Sequence, residues 1–281
     1  MNGEELIHAV QEGDLARVQE LATPQNINYV DDNSDTPLLA AIFEAYNVNN
    51  DDIIRALLDV PDIDVDLHGP STEPPIIEAF NVGNPIIIGM LIDAGVDHYQ
   101  TFSDYDFSSS SLLGESMIDG KIRIVEELLK RDEFRRELVN DLEFNSDPLF
   151  TILNSNTLWI NTLKLFKLIL PYTTPRILNQ RMTIGKTIFH EAVDYPGTTL
   201  ETLQLLVEYG ALPFGISAEG KSLYEDLNHL IEFSDGDRRA RYTQILEYVN
   251  SITFSLRAKS LKSIVDNEID ISSIPDSLVV L

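Results

Sequence analysis

The feature that most constrains the fold is a stretch that recurs along the chain and is clearest at Gly185–Ala211. It reads GKTIFHEAVDYPGTTLETLQLLVEYGA, which predicts a short helix, a turn, and a second helix striped by Leu203 and Leu206. Gly210 is predicted to end the second helix, because glycine tolerates the left-handed conformation common at that position. One such helix pair cannot bury its own apolar side, so neighbouring pairs must pack on one another.

The stretch has seven copies, which start near residues 4, 36, 74, 111, 147, 187 and 222. They are spaced about 36 residues apart, and a fixed period of roughly 20 to 50 residues is typical of a solenoid of stacked units. The sequence therefore predicts one repeat domain over residues 1–252 and a C-terminal helical tail over residues 253–281.

Four segments match the motifs of a known repeat family. Asp35–Ala41 and Gly185–Ala192 are similar to GxTPLHxAA, Gly120–Leu129 fits GHxxxVxxLL, and Leu91–Asp97 fits LLxxGAD. On these segments the chain resembles the ankyrin-repeat family. The resemblance implies an all-α ankyrin-repeat solenoid of helix-turn-helix units with projecting hairpin loops. It also implies a scaffold that binds a partner protein through its concave surface and loops.

The charge of the chain narrows the class of partner. The formal net charge is -26, from 46 acidic and 20 basic residues, so a nucleic-acid backbone or an anionic membrane surface would be repelled. We expect a protein partner that carries basic residues. The longest apolar segment, Leu158–Leu170, is shorter than the roughly 20 residues that span a bilayer, so no membrane insertion is predicted. The N-terminus lacks the pattern of a secretory signal, which favours a cytoplasmic protein.

Nothing in the sequence points to catalysis. The chain contains no cysteine, which excludes disulfides, thiolate zinc sites and cysteine nucleophiles. It also lacks a GxSxG elbow, an HExxH pair and a glycine-rich phosphate loop. We therefore predict no catalytic residue, no metal and no cofactor. His190 stands at the histidine position of TPLH, and the resemblance implies that its side chain bonds to loop backbone.

Aromatic and acidic residues are combined in the connection Val96–Ser111, the most unusual one in the chain. Aromatic side chains with polar tips are enriched at protein interfaces. The predicted partner-binding residues here are Tyr99, Phe102, Asp104, Tyr105, Asp106 and Phe107. The alternative is that these rings pack on the neighbouring loop.

Trp159, the only tryptophan, lies at the turn of the degenerate fifth repeat. It is either an exposed anchor for a partner or a filler of the irregular repeat. Two charged segments are predicted to be surface structure: Lys130–Arg136 as a solvated helix end, and Ser234–Arg241 as a loop within the last repeat.

The C-terminal tail is similar to a SOCS box, through Ser260–Ile269 and Ile271–Leu278. This resemblance implies that the chain is a ubiquitin-ligase substrate receptor, which recruits elongin and cullin. The adaptor-binding residues would be Leu261, Val265, Ile269, Pro275 and Leu278. A short amphipathic helix would give the same apolar spacing. A further alternative is a bacterial effector, secreted into a host cell to act on a host protein.

Overall fold

The computed structural model describes residues 3–46, 50–98, 111–144, 148–154, 159–181, 186–213 and 222–266. Over these ranges the secondary structure is helical and includes no β-strand. The chain divides into two compact units, Met1–Tyr172 and Thr173–Leu281. Each unit is built from helix pairs in the order that the repeat predicts.

The first unit contains five helix pairs. The first helices of the pairs are α1 (Gly3–Gln11), α3 (Pro37–Glu44), α5 (Pro75–Val82), α7 (Leu112–Ile118) and α10 (Pro148–Asn154). The second helices are α2 (Leu15–Leu21), α4 (Asp51–Leu58), α6 (Pro85–Asp93), α8 (Ile122–Leu128) and α11 (Trp159–Ile169). Second helices pack on second helices from α2 to α11, and α3 lies between α1 and α5. Consecutive pairs therefore stack, as the period requires.

Side-chain caps and prolines fix where these helices start. The Thr36 hydroxyl accepts a hydrogen bond from the Leu39 amide (3.1 Å), and Asn84 caps α6 in the same way through the Ile86 amide (2.9 Å). Pro37 follows Thr36 at the first helical position. A proline is tolerated there because the amide at that position has no partner within the helix. The Thr-Pro dipeptide is thus a helix start signal.

Stacking buries one apolar stripe from each helix. In α3 Leu38, Leu39 and Ile42 are buried, and in α4 Ile54 and Leu57 are fully buried. Burying a leucine or isoleucine side chain stabilises a fold by about 1.5–3 kcal/mol. The same spacing recurs in later pairs, so the core runs through the unit from repeat to repeat.

The loops that join successive repeats are tied to one another. Asn28 bridges the first two loops, since its Nδ2 donates to the Asp62 carbonyl and its Oδ1 accepts from the Asp64 amide, both at 2.8 Å. Asp66 then accepts a hydrogen bond from the Asp97 amide of the next loop (3.0 Å). These polar bonds fix the register between repeats on the loop side.

A close backbone approach accompanies this loop stacking. The Gly69 amide donates to the Ser34 carbonyl (3.2 Å), and the Thr72 hydroxyl donates to the same oxygen (3.1 Å). A Cβ at Gly69 would lie 2.3 Å from Ser34 Cβ, so only glycine fits there. Ser34 itself has a φ of 74°, an uncommon conformation for a residue with a side chain. The contact between Gly69 and Ser34 therefore holds the two loops together and keeps Ser34 in this conformation.

An additional helix interrupts the repeat pattern in the first unit. α9 (Asp132–Phe144) begins inside the segment Lys130–Arg136, which the sequence predicts to be a solvated helix end. The segment does lie at a helix end, but it opens a helix that the sequence did not predict, in which Phe134, Leu138 and Leu142 form a buried stripe at helical spacing. The stripe packs α9 against α10 and against the short 3₁₀-helix that ends the unit. The charges around Phe134 lie on the outer side of a helix with a buried face.

The second unit contains a short helix and two further helix pairs. These helices are α12 (Pro175–Leu178), α13 (Ile188–Asp194), α14 (Leu200–Glu208), α15 (Leu223–Glu232) and α16 (Gly236–Asp266). α13 pairs with α14, and α15 pairs with α16. His190 is buried, and its Nδ1 lies 2.8 Å from the Thr187 hydroxyl and accepts from the Thr187 amide (3.4 Å). The bond to loop backbone implied by the resemblance is present.

The predicted loop Ser234–Arg241 is mostly helix, because α16 starts at Gly236. The charged residues of this segment form the first turns of that helix. α16 also continues past Ile252, so the predicted boundary between the repeat domain and the tail falls inside it. The domain boundaries otherwise stay predictions.

Candidate functional site

Carboxylates from three successive repeats form one surface of the first unit. They come from the start of α1, from the loop before α3, and from the segment that leads into α5. This set, called the acidic surface below, consists of Glu4, Asp31, Asp32, Asp35, Glu73 and Glu78.

The loop before α3 holds its carboxylates in a fixed turn. The Asp31 amide donates to the Asp35 carbonyl (3.0 Å), and the Asp31 carboxylate accepts from the amides of Asp35 (2.8 Å) and Asn33 (2.9 Å). The Asp31 side chain therefore replaces a backbone partner, as aspartate does in many turns. Asp32, at the tip of the turn, is left exposed.

Tyr29 connects this loop to the first repeat. Its hydroxyl donates to the Glu4 carboxylate at 3.5 Å. A Cβ at Gly3 would lie 2.0 Å from Tyr29 Cγ, so the ring rests directly on the backbone of α1. Partial burial and the carboxylates of Glu4 and Asp32 raise the pKa of the Tyr29 phenol. Val30, beside it, is 37% exposed and adds apolar area to an otherwise acidic surface.

The carboxylates of the acidic surface repel one another. Burial raises the pKa of Asp35, and the charge of Asp31 raises it further. Burial also raises the pKa of Glu78, with added repulsion from Glu73 and Asp35 that outweighs a hydrogen bond to Asn81. Both shifts mean that the ionised carboxylate is less favourable at these positions than in water, because solvent is partly excluded and neighbouring charges are negative.

Basic residues are scarce in this part of the chain. Residues 1–120 contain 23 acidic residues and only two Lys or Arg residues, Arg17 and Arg55. Arg17 is paired with Glu20 (2.8 Å). Among the described residues, no Lys, Arg or His forms an ion pair with Asp35 or Glu78. In the part of the unit that the structure describes, the carboxylates of Asp35 and Glu78 are therefore not neutralised by a basic side chain.

This repulsion predicts a specific pH dependence of stability. The pKa values of Asp35 and Glu78 are raised on folding, so the native state holds these protons more tightly than the unfolded chain does. Their contribution should rise as pH falls through the raised pKa values. The double change Asp35→Asn and Glu78→Gln is expected to raise the free energy of unfolding at neutral pH by about 0.5 kcal/mol, because the repulsion between these half-buried charges is partly screened by solvent.

Urea unfolding at about pH 7 and about pH 5 measures this effect. The gain should be present at the higher pH and smaller at the lower one. The control, Glu232→Gln with Glu247→Gln, changes two exposed carboxylates of the second unit by the same charge. If the two double variants shift stability equally, the effect comes from net charge and not from the acidic surface.

The predicted partner-binding residues are placed only in part. Tyr99, Phe102, Asp104, Tyr105, Asp106 and Phe107 lie outside the described residues. The backbone of Trp159 begins α11, and its side chain is outside the described part of the structure. All seven residues remain predictions.

The structure also describes only part of the predicted adaptor-binding residues. The backbones of Leu261 and Val265 lie in α16, whereas Ile269, Pro275 and Leu278 are outside the described residues. The SOCS-box resemblance thus stays a prediction. Within the described ranges, no helix combines the length and the apolar character needed to cross a bilayer.

Sequence reasoning missed the acidic surface as a set. The run Asp31, Asp32 and Asp35 is visible in the sequence, but Glu4 and Glu78 join it only because repeats stack. A signal was nevertheless available. The segment before Gly120 is almost without basic residues, and the acidic residues recur near each helix start.

Comparison with known proteins gives structural likeness alone. No protein-family model matches the chain, and no curated protein matches it. The human ASB11 ankyrin repeat domain is 19% identical, with 78% of this chain and 90% of that chain covered and a TM-score of 0.47. The ankyrin repeat domain of Bcl-3, a member of the IκB family, is 16% identical, with coverages of 85% and 97% and a TM-score of 0.47.

A third similar structure is a complex of two proteins from Bdellovibrio bacteriovorus. It contains the predatory endopeptidase Bd0816 and the immunity protein Bd3460. The matching chain is 19% identical, with coverages of 86% and 97% and a TM-score of 0.38.

The helix pairs confirm the fold class predicted from the sequence. The chain has an all-α ankyrin-repeat fold, in which helix-turn-helix units stack within each unit. The Thr-Pro start at Thr36 and the bonds of His190 to Thr187 are the local features that the TPLH motif implies.

Proposed function

We propose that the chain is a protein-binding scaffold whose acidic surface binds basic side chains of a partner protein. The observation that carries this proposal is the cluster of carboxylates from three repeats, in which Asp35 and Glu78 form no ion pair within the described ranges and have raised pKa values. A lysine or arginine from a partner would favour the ionised forms and remove the repulsion between them. Binding would thus stabilise a surface that is unfavourable in the free protein.

The charge of the acidic surface also predicts the association rate and the salt dependence of such a complex. Opposite charges on two partners accelerate association and make the affinity fall with rising salt. Tyr29 and Val30 lie within the acidic surface and supply contact area that charge alone does not give. A partner segment with alternating basic and apolar residues fits this combination best.

The other predicted interaction sites extend this proposal. In the sequence, Tyr99–Phe107 follows the third repeat, and Trp159 opens α11 of the fifth. The proposed interface includes these residues in addition to the acidic surface. The ligase-receptor alternative depends on the tail beyond Ile252, and it predicts elongin or cullin among captured proteins.

Charge reversal in the acidic surface tests the proposal. We expect Asp35→Lys with Glu78→Lys to reduce partner capture at least tenfold, since each change replaces an attraction by a repulsion. The measurement is quantitative mass spectrometry of proteins captured by the full chain from its native cell extract, at low and at physiological salt. Circular dichroism of both proteins checks that the helix content is unchanged.

The matched control reverses two exposed carboxylates of the second unit, Glu232→Lys with Glu247→Lys. Its net charge equals that of the test variant, so a general effect of charge would appear in both. Partners that both variants retain at wild-type levels would contradict the proposed role of the acidic surface.

A further inference from the structure

A groove of about 480 Å³ is lined by the helix turns of the third and fourth repeats, by α8 and by α11 of the fifth repeat. It is separate in sequence from the acidic surface and has the opposite charge character. Its polar walls come from α8, from α11 and from the turn between α7 and α8. The residues that the inference uses are Gly120, Lys121, Arg123, Glu126, Asn161 and Lys164.

Lys121 is fixed at the base of this groove. Its Nζ donates to the Phe80 carbonyl (2.8 Å) and lies 3.5 Å from the centroid of the Phe80 ring. Asp119 is 3.5 Å away. Burial lowers the pKa of the Lys121 amine, although the Asp119 carboxylate opposes this shift. Lys121 therefore links the third and fourth repeats and adds one positioned positive charge.

Arg123 and Lys164 form the rim of the groove and are exposed. Among the described residues, neither side chain makes a hydrogen bond or an ion pair. Two basic side chains without an ion pair are unusual here, because the chain has 46 acidic residues and only 20 basic ones. Arg131, by contrast, binds both Asp93 (2.8 Å) and Glu127 (3.1 Å).

The groove is built on packed elements. Asn161 Nδ2 donates to the Gly120 carbonyl (3.2 Å), which ties α11 to the turn between α7 and α8. α8 packs on both α6 and α11, so the two rim cations stand on neighbouring helices in direct contact. The exposed carboxylate of Glu126 is the one acidic side chain on the rim, and it leaves the groove with an excess of positive charge.

We infer that this groove binds a phosphate group, carried either by a small molecule or by a phosphorylated segment of a partner protein. A phosphate monoester carries a charge of about -1.5 to -2 near neutral pH, and Arg123 and Lys164 are the two rim cations that it would pair with, because Lys121 already lies beside Asp119. The guanidinium of Arg123 can donate two parallel hydrogen bonds to phosphate oxygens. An extended polyanion does not fit, since the chain as a whole is strongly negative.

Titration of the full chain with pyrophosphate, and separately with a phosphoserine peptide, tests this inference. Isothermal calorimetry should detect one binding site for at least one of the two probes. Arg123→Gln and Lys164→Gln are each expected to weaken it by about tenfold or more, as the loss of a charge-assisted hydrogen bond implies. Both positions are exposed, so the fold should persist in the variants.

Arg55→Gln is the matched control, because Arg55 is an exposed arginine on α4, away from the groove, and the charge change is the same. Binding by the control at wild-type affinity, with weakening in both groove variants, supports the inference. A response to pyrophosphate alone assigns the site to a small molecule, and a response to the peptide alone assigns it to a phosphorylated segment. Absence of binding by both probes, or equal weakening in all three variants, overturns it.

Discussion

Replacing Phe134 by alanine is expected to lower the free energy of unfolding by about 3–5 kcal/mol. The ring is fully buried on the apolar stripe of α9, and its centroid lies 4.9 Å from that of the His98 ring. Removing it leaves a cavity between α9 and the loop that follows α6. Because α9 also packs on α10, the loss should affect the last repeats of the first unit most.

Urea unfolding of the full chain, followed by circular dichroism and by the fluorescence of the single tryptophan, measures this loss. Phe233→Ala is the control, since Phe233 is 73% exposed at the end of α15. Its expected effect is within about 0.5 kcal/mol. Comparable small losses for both variants would mean that α9 is not a packed part of the fold.

Replacing Arg241 by methionine is expected to cost about 2–3 kcal/mol. The guanidinium donates to the carbonyls of Val193 (3.0 Å), Tyr195 (2.8 Å) and Thr198 (3.2 Å), where α13 ends and the turn to α14 begins. Carbonyls at a helix C-terminus lack partners within the helix, and a cation is favourable there. Burial lowers the pKa of Arg241, so its charge has been partly desolvated for this contact.

Hydrogen exchange of the full chain locates the effect. Faster exchange is expected in α13 and α14, because Arg241 lies on α16 and joins the two helix pairs of the second unit. Arg238→Met changes an exposed arginine of the same helix and should alter exchange little. Wild-type protection of α13 in the Arg241→Met protein would contradict this role.

Both contacts show why local sequence patterns gave an incomplete or wrong structure at two segments. Lys130–Arg136 and Ser234–Arg241 are rich in charged residues, and this charge density favoured a solvated helix end for the first segment and a loop for the second. Phe134 and Arg241 each make a tertiary contact from these segments. Their partners lie in other repeats, at His98 and at Val193, and a single sequence does not show such pairs.

The sequence by itself determined the repeat, the helix pairs and their caps. Those features depend on residues close together in the chain, such as Thr36 with Leu39, and on a period that forces stacking. It also determined the acidic character that limits the class of partner.

Only the tertiary structure decided where that charge converges. Glu4, Asp35 and Glu78 belong to different repeats, and stacking places them on one surface while Arg123 and Lys164 meet at another. The reason is geometric. The period fixes which repeats are neighbours, but the interactions of side chains across repeats depend on packing distances that local patterns do not contain.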